Sequence, residues 1–323
     1  MQTLFDKRAL LISGKGGVGR TTVTAALAMA AARQGKRVLV AEIGEPDEDL
    51  AALGRLFGRQ TLPADPVPLA RNVDGVMLWS RKGHERFLSM VLPVAALVRA
   101  ALRSKPLRRL LDAAPSLNEL GVFYHMLTLA REQRPGGGPA WDLLIVDLPA
   151  TGHALGLATL PDRILQLIPS GPIARSVKEG KEVFFDEKTS AMVVVTLPET
   201  LPVTECLELI EGVRETDLPV AGVIVNKVVG DDFTEEERAA LEPVVRDNAL
   251  FGATRFLGIG MVSSSLRRLE VESKTPVWRV PELPLEGPGL IHGLSDAMLA
   301  DKTEILGAVD VAEPASGDRG GAS

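Results

Sequence analysis

The sequence predicts an α/β fold, a mostly parallel sheet flanked by helices with one helical insertion, on three observations. Short apolar runs at 9–12, 38–41, 76–79, 141–147, 191–197, 220–225 and 275–281 have the length of buried strands, and most are far enough apart for a crossover helix. The run at 9–12 leads into a glycine loop, G-K-G-G-V-G-R-T-T at 14–22, and that loop into an Ala-rich stretch at 23–33, the order strand, loop, helix. From 85 to 134 the pattern turns helical, with apolar residues such as Phe87, Leu92 and Leu110 interleaved with Arg99, Arg103 and Arg109 and breaks at Pro93 and Pro106. The chain divides accordingly. Segments 1–84 and 135–309 form one discontinuous core, 85–134 is the insertion, and 310–323 is a small-residue tail expected to be disordered. With 323 residues, 46% of them apolar, one large domain can be built.

The glycine loop comes first in the chain. Gly14, Gly16, Gly17 and Gly19, with Lys15 and Val18 between them, allow successive backbone N–H groups to face one concavity at the positive end of the following helix. Such a concavity holds phosphate. The spacing G-x-x-x-x-G-[K/R]-T fits the phosphate-binding loop, with Arg20 where lysine is usual and Thr21 as a hydroxyl ligand for magnesium.

In open parallel sheets, ligands bind beyond the carboxyl ends of the strands, so residues there are the next candidates. Glu42, Glu45 and Asp47 follow the second strand and can position or deprotonate an attacking water. The other reading of Glu45 and Asp47 is an acidic surface loop before a helix starting near Glu48. Asp147 ends the clearest strand, W-D-L-L-I-V-D, in the Walker B pattern, where the carboxylate holds a water of the magnesium shell; Gly152 lets the loop after it move. Asn226 and Lys227 end the strand at 220–225. An asparagine there can bond the N6 and N7 edge of adenine, and a guanine reader of N-K-x-D type would need an acid where Val229 stands; otherwise Asn226 is a turn former. Elsewhere, 164–186 reads as an irregular insertion, the stretch at 198–205 leads into a helix that ends before Leu218, and further helices are expected over 234–246 and 295–309.

Composition excludes several classes. A net charge of −6 and pI near 5.4 oppose general attraction to nucleic acid or anionic membrane. The lone Cys206 excludes an intrachain disulfide or multi-cysteine metal site and fits a reducing compartment. The four histidines lack ligand spacing. No basic leader opens the chain and no apolar stretch of about 18 residues occurs, so a soluble cytoplasmic protein without membrane insertion is expected.

With the glycine loop, D-L-P-A-T-G-H at 147–153, P-E-T-L-P-V-T-E at 198–205 and V-N-K at 225–227 in this order, the chain resembles the arsenical-pump and tail-anchored-protein targeting ATPase family over roughly 10–306. It is similar in particular to a bacterial branch whose second strand ends in a glutamate-bearing segment and whose members occur as paired paralogues. The resemblance implies a P-loop NTPase with a deviant Walker A loop that uses ATP/ADP and Mg2+ as a dimer. It also implies that Lys15 reaches the partner's nucleotide, Thr21 serves magnesium, Thr22 serves phosphate, Asp147 is the magnesium-side switch acid, and Asn226 and Pro281 lie near adenine. Three departures qualify it. Arg20 replaces a compact ammonium by a planar fork. The family's water-positioning aspartate falls at Ile43 or Gly44, with Glu42 just before them. Cys206 alone reproduces neither an interfacial zinc site nor an arsenite site, so metalloid pumping is not expected.

The leading expectation is an ATP-hydrolysing dimer, a homodimer or a heterodimer with a paralogous ATPase, that couples nucleotide state to an apolar client or membrane-protein segment. The insertion has more apolar positions than one core-facing stripe needs, which leaves helices packed on the sheet and a client surface as two readings. Two alternatives stand beside the leading one. One is a catalytically weak regulatory subunit of a heterodimer. The other is a MinD/ParA-like partitioning ATPase, for which the tail supplies neither an amphipathic membrane helix nor a basic patch.

Overall fold

In a computed structural model, the structure describes residues 1–44, 51–91, 115–149, 151–230, 233–248, 250, 252–300 and 305–306. The apolar runs form strands β1 (Ala9–Gly14), β2 (Val38–Ile43), β3 (Val67–Ala70), β4 (Val73–Leu78), β5 (Leu143–Asp147), β6 (Ser190–Thr196), β7 (Val220–Val228), β8 (Val277–Pro281) and β9 (Ile305–Leu306). They make one nine-stranded sheet in the order β3-β4-β2-β5-β1-β6-β7-β8-β9. The edge pairs β3–β4 and β8–β9 are antiparallel, and every pairing between β4 and β8 is parallel. Every residue of β1, β5 and β6 is buried, as a sheet covered on both faces requires.

The helices are α1 (Arg20–Arg33), α2 (Ala52–Leu56), α3 (Ser80–Val91), α4 (Pro115–Ala130), α5 (Thr151–Leu167), α6 (Gly171–Phe184), α7 (Thr200–Arg214), α8 (Glu235–Asp247), α9 (Ala253–Ser273) and α10 (Gly287–Leu299), after an opening 3-10 turn at Gln2–Asp6. One face of the sheet packs on α1, α2 and α10, and the small side chains Ala25, Ala26, Ala28 and Ala30 let α1 lie close to it. The other face packs on α4, α5, α6, α7 and α9. Helices α3 and α4 cross at their glycines, where a Cβ on Gly83 would lie 1.7 Å from the Gly121 carbonyl oxygen.

The fold corrects the sequence reading in several places. Residues read as irregular at 164–186 are mostly helical, because Pro169 and Gly171 separate α5 from α6 without abolishing either. The last helix begins at Gly287, with proline in its first turn, and ends at Leu299 rather than spanning 295–309. Thr151 and Gly152 belong to the first turn of α5, and Asn226 and Lys227 lie inside β7. Of the insertion, α4 contributes Phe123, Met126, Leu127 and Leu129 to the main core. Residues 92–114, Glu45, Asp47 and the tail at 310–323 lie outside the described residues.

Candidate functional site

The site forms where three parallel strands end together. Ile12 of β1 and Glu42 of β2 both stand in register with Asp147 of β5, so the loop after β1 emerges beside two carboxylates. Gly14 meanwhile pairs with Val195 of β6, which brings the start of α7 next to the loop. The loop itself turns through left-handed backbone at Gly17, φ 88°, and at Gly19, φ 82°, the residue that caps α1. A Cβ on Gly16 or Gly17 would meet no atom within 4 Å, so the space around these two residues is open. Thr22 follows in the first turn of α1, whose positive N-terminal end meets the loop.

Thr21 and Asp147 meet directly, the Thr21 hydroxyl donating to Asp147 Oδ2 at 2.6 Å. Arg20 takes the other carboxylate oxygen, its Nε–H donating to Oδ1 at 2.6 Å, and a second N–H, from Nη1, donates to the Gly14 carbonyl at 3.1 Å. Burial pushes the Asp147 carboxyl above the ordinary carboxylate range, with the Arg20 guanidinium and the bonds from Thr21 and Arg20 pulling the other way. The Thr21 hydroxyl and the Asp147 carboxylate are hard oxygen donors of the kind magnesium takes, so the donor set fits that ion, with Arg20 competing for the carboxylate.

The other candidates have partners within the chain. Lys15 is 45% exposed and forms an ion pair with Glu205 of α7. The carboxylate of Glu42 accepts the backbone N–H groups of Ala52 at 3.1 Å and Leu53 at 2.9 Å, the opening turn of α2. Asn226, 4% exposed, donates from Nδ2 to the Val18 carbonyl at 2.9 Å and lies against Gly19, so its amide holds the loop. Lys227 has an exposed side chain and left-handed backbone, φ 56°, a strained conformation at a strand end that faces a site. Pro281 stands beside it, in register with Val228. An open cavity of about 690 Å3 adjoins these strand ends, lined by Pro198, Glu199, Thr200, Val229, Gly258, Ile259, Met261, Val262 and Glu282.

The structure therefore brings Arg20, Thr21, Asp147 and the loop glycines into one cluster, with Glu42 in register beside it and Asn226 bracing the loop from behind. Lys15 turns away to α7. Glu205 is not among the candidates named from the sequence; its signal is an acid in the first turns of the helix that follows β6. Cys206, the next residue, is buried and its thiol is pushed up to about 12 by burial, which makes it a poor thiolate ligand.

A family model described as anion-transporting ATPase matches residues 7–169 and 172–245. Among curated proteins, ATPase BagA of Mycobacterium tuberculosis (strain H37Rv) is 28% identical over 324 residues, covering 94% of this chain and 93% of that protein. ATPase GET3 of the yeast Kluyveromyces lactis is 23% identical over 275 residues, 72% of this chain and 75% of that one. ATPase GET3 of Candida glabrata is 24% identical over 270 residues, with 70% and 74% covered. No described helix is long and apolar enough to cross a membrane.

Proposed function

The chain belongs to the anion-transporting ATPase family, and on that premise we propose that it binds ATP with its phosphates in the hollow of the loop at 14–22 and hydrolyses it. The observation that carries this reading is the convergence of the Thr21 hydroxyl and the Asp147 carboxylate, at 2.6 Å, at the N-terminus of α1 beside the open space at Gly16 and Gly17. The backbone N–H groups of the loop and the α1 dipole bind phosphate oxygens, and Thr22 adds a hydroxyl. Thr21 and Asp147 hold magnesium, which when bound neutralises charge on the β- and γ-phosphates. Glu42 orients the attacking water. The bonds from Ala52 and Leu53 fix the orientation of its carboxylate. Adenine lies at the ends of β7 and β8, near Pro281 and Lys227, with Asn226 setting the height of the loop beneath it.

Dimerisation and client binding extend this reading. Lys15 is exposed and on the loop, and within reach of a second subunit once it leaves Glu205. Apolar side chains lie exposed on α8, α9 and the turn between them, at Leu241, Val244, Leu250 and Met261, as a partner or client surface requires. A second reading, a weak regulatory subunit beside a paralogous ATPase, is favoured by one observation, the contact of Arg20 with Asp147 where family members carry the loop lysine. Steady-state phosphate release decides between them. Turnover by the chain alone, abolished by Asp147→Ala, supports the first; turnover only in the presence of the paralogue supports the second; turnover that survives Thr21→Ala and Asp147→Ala together rejects the site.

A further inference from the structure

Both oxygens of Asp147 are satisfied from within the chain, one by Thr21 and one by Arg20, in surroundings where the Asp147 side chain is 3% and the Arg20 side chain 17% exposed. Arg20 does this with Nε, the nitrogen nearest its aliphatic stem, while Nη1 holds the Gly14 carbonyl. Its Nη2 makes no hydrogen bond among the described residues. An arginine can therefore keep a buried carboxylate neutralised with one edge of its fork and present the remaining N–H donors to a phosphate at the same time. A lysine carries its three N–H donors on one nitrogen, so it serves both only where the two acceptors lie around a single point. Separating a buried carboxylate from the cation paired with it is strongly unfavourable, so an incoming divalent ion competes with a partner already in place.

We propose that Arg20 takes over at Asp147 the charge-neutralising part of a divalent cation, so that this site binds adenine nucleotide with little dependence on magnesium. The proposal rests on the reading above that the loop binds ATP, and it adds a specificity-determining part for the residue that departs from the family pattern. Hydrolysis is a separate matter: magnesium held by Thr21 and Asp147 would still supply charge that acts in the transition state, so turnover should keep a dependence on magnesium that binding lacks.

Equilibrium titration of ATP into the full chain, once with excess magnesium and once with excess EDTA, tests it. The dissociation constants of the parent should agree within about threefold, whereas Arg20→Lys should gain at least about tenfold in affinity on adding magnesium, the size of one charge-assisted hydrogen bond. A parent protein that binds ATP more than about tenfold tighter with magnesium overturns the proposal and leaves ATP binding intact. Equal indifference to magnesium in parent and Arg20→Lys overturns the assignment to Arg20. No binding in either condition overturns the nucleotide reading itself, and the proposal with it. Should Arg20→Lys fail to fold, Arg20→Gln serves in its place with the same expectation.

Discussion

Replacing Gly19 by alanine tests the loop at its tightest point. The residue caps α1 with φ 82° and ψ 24°, a left-handed conformation that costs an alanine about 1–2 kcal/mol. The new Cβ would lie 2.3 Å from Asn226 Nδ2, so the amide must move and its 2.9 Å bond to the Val18 carbonyl breaks. Leaving that buried pair unsatisfied costs about 1–3 kcal/mol more, and the two together come to about 2–5 kcal/mol. With an unfolding entropy of about 2.1 cal/mol/K per residue over 323 residues, the melting temperature should fall by about 3–7 °C. Affinity for ATP should fall at least about tenfold, because the amides that face the phosphates turn with the loop. The assay pairs thermal unfolding with nucleotide titration, and a cycle with Asn226→Ala separates clash from backbone strain. Because the amide is already displaced in Gly19→Ala, the double variant should be more stable than the sum of the single effects predicts. A Gly19→Ala protein that melts within about 1 °C of the parent and binds ATP equally well would refute this account of the loop.

Further outcomes follow from contacts elsewhere. His125 is fully buried, and burial, reinforced by Arg86, lowers its imidazole pKa to about 4, well below the unfolded value of about 6.5. The unfolded chain thus binds the extra proton first, so stability holds above pH about 6.5 and is lost as pH falls toward about 4, by up to roughly 3 kcal/mol; His125→Gln should flatten that part of a urea-midpoint profile. Lys15→Ala and Glu205→Gln should each change stability by less than about 1 kcal/mol, since the Lys15 side chain is close to half exposed and its ion pair is screened by solvent. Light scattering with ATP should show Lys15→Ala monomeric and Glu205→Gln at least as dimeric as the parent, and dimers of Lys15→Ala at parental affinity would remove the cross-subunit part given to Lys15. Glu42→Gln should slow phosphate release by at least about tenfold with ATP affinity unchanged. Release at the parental rate would leave Glu42 only as the cap of α2.

The centre of the sheet was legible because buried parallel strands are continuous apolar runs, and L-L-I-V-D at 143–147 admits no competing reading. The glycine loop and Asp147 were legible for the same reason: each is tied to the end of such a strand. Helix α9 was not. Its Gly258, Gly260 and the serines at 263–265 break helical periodicity and resemble a loop, and packing on α7 overrides that preference. Helix α6 was hidden by the proline and glycine that in fact mark its start. At the site, residue types pointed to chemistry but not to partners. That Arg20 meets Asp147, that Asn226 meets Val18 and that Lys15 meets Glu205 depends on register between strands far apart in the chain, which spacing along a sequence does not carry.

The most direct test of the account is the binding stoichiometry and base preference of the loop at 14–22, measured by calorimetric titration of ATP and GTP into the full chain and into the Gly19→Ala variant. The account predicts one ATP per chain, weaker binding of GTP, and a loss of at least about tenfold in ATP affinity in that variant. Undiminished ATP binding by Gly19→Ala, or no binding by the parent, would contradict it.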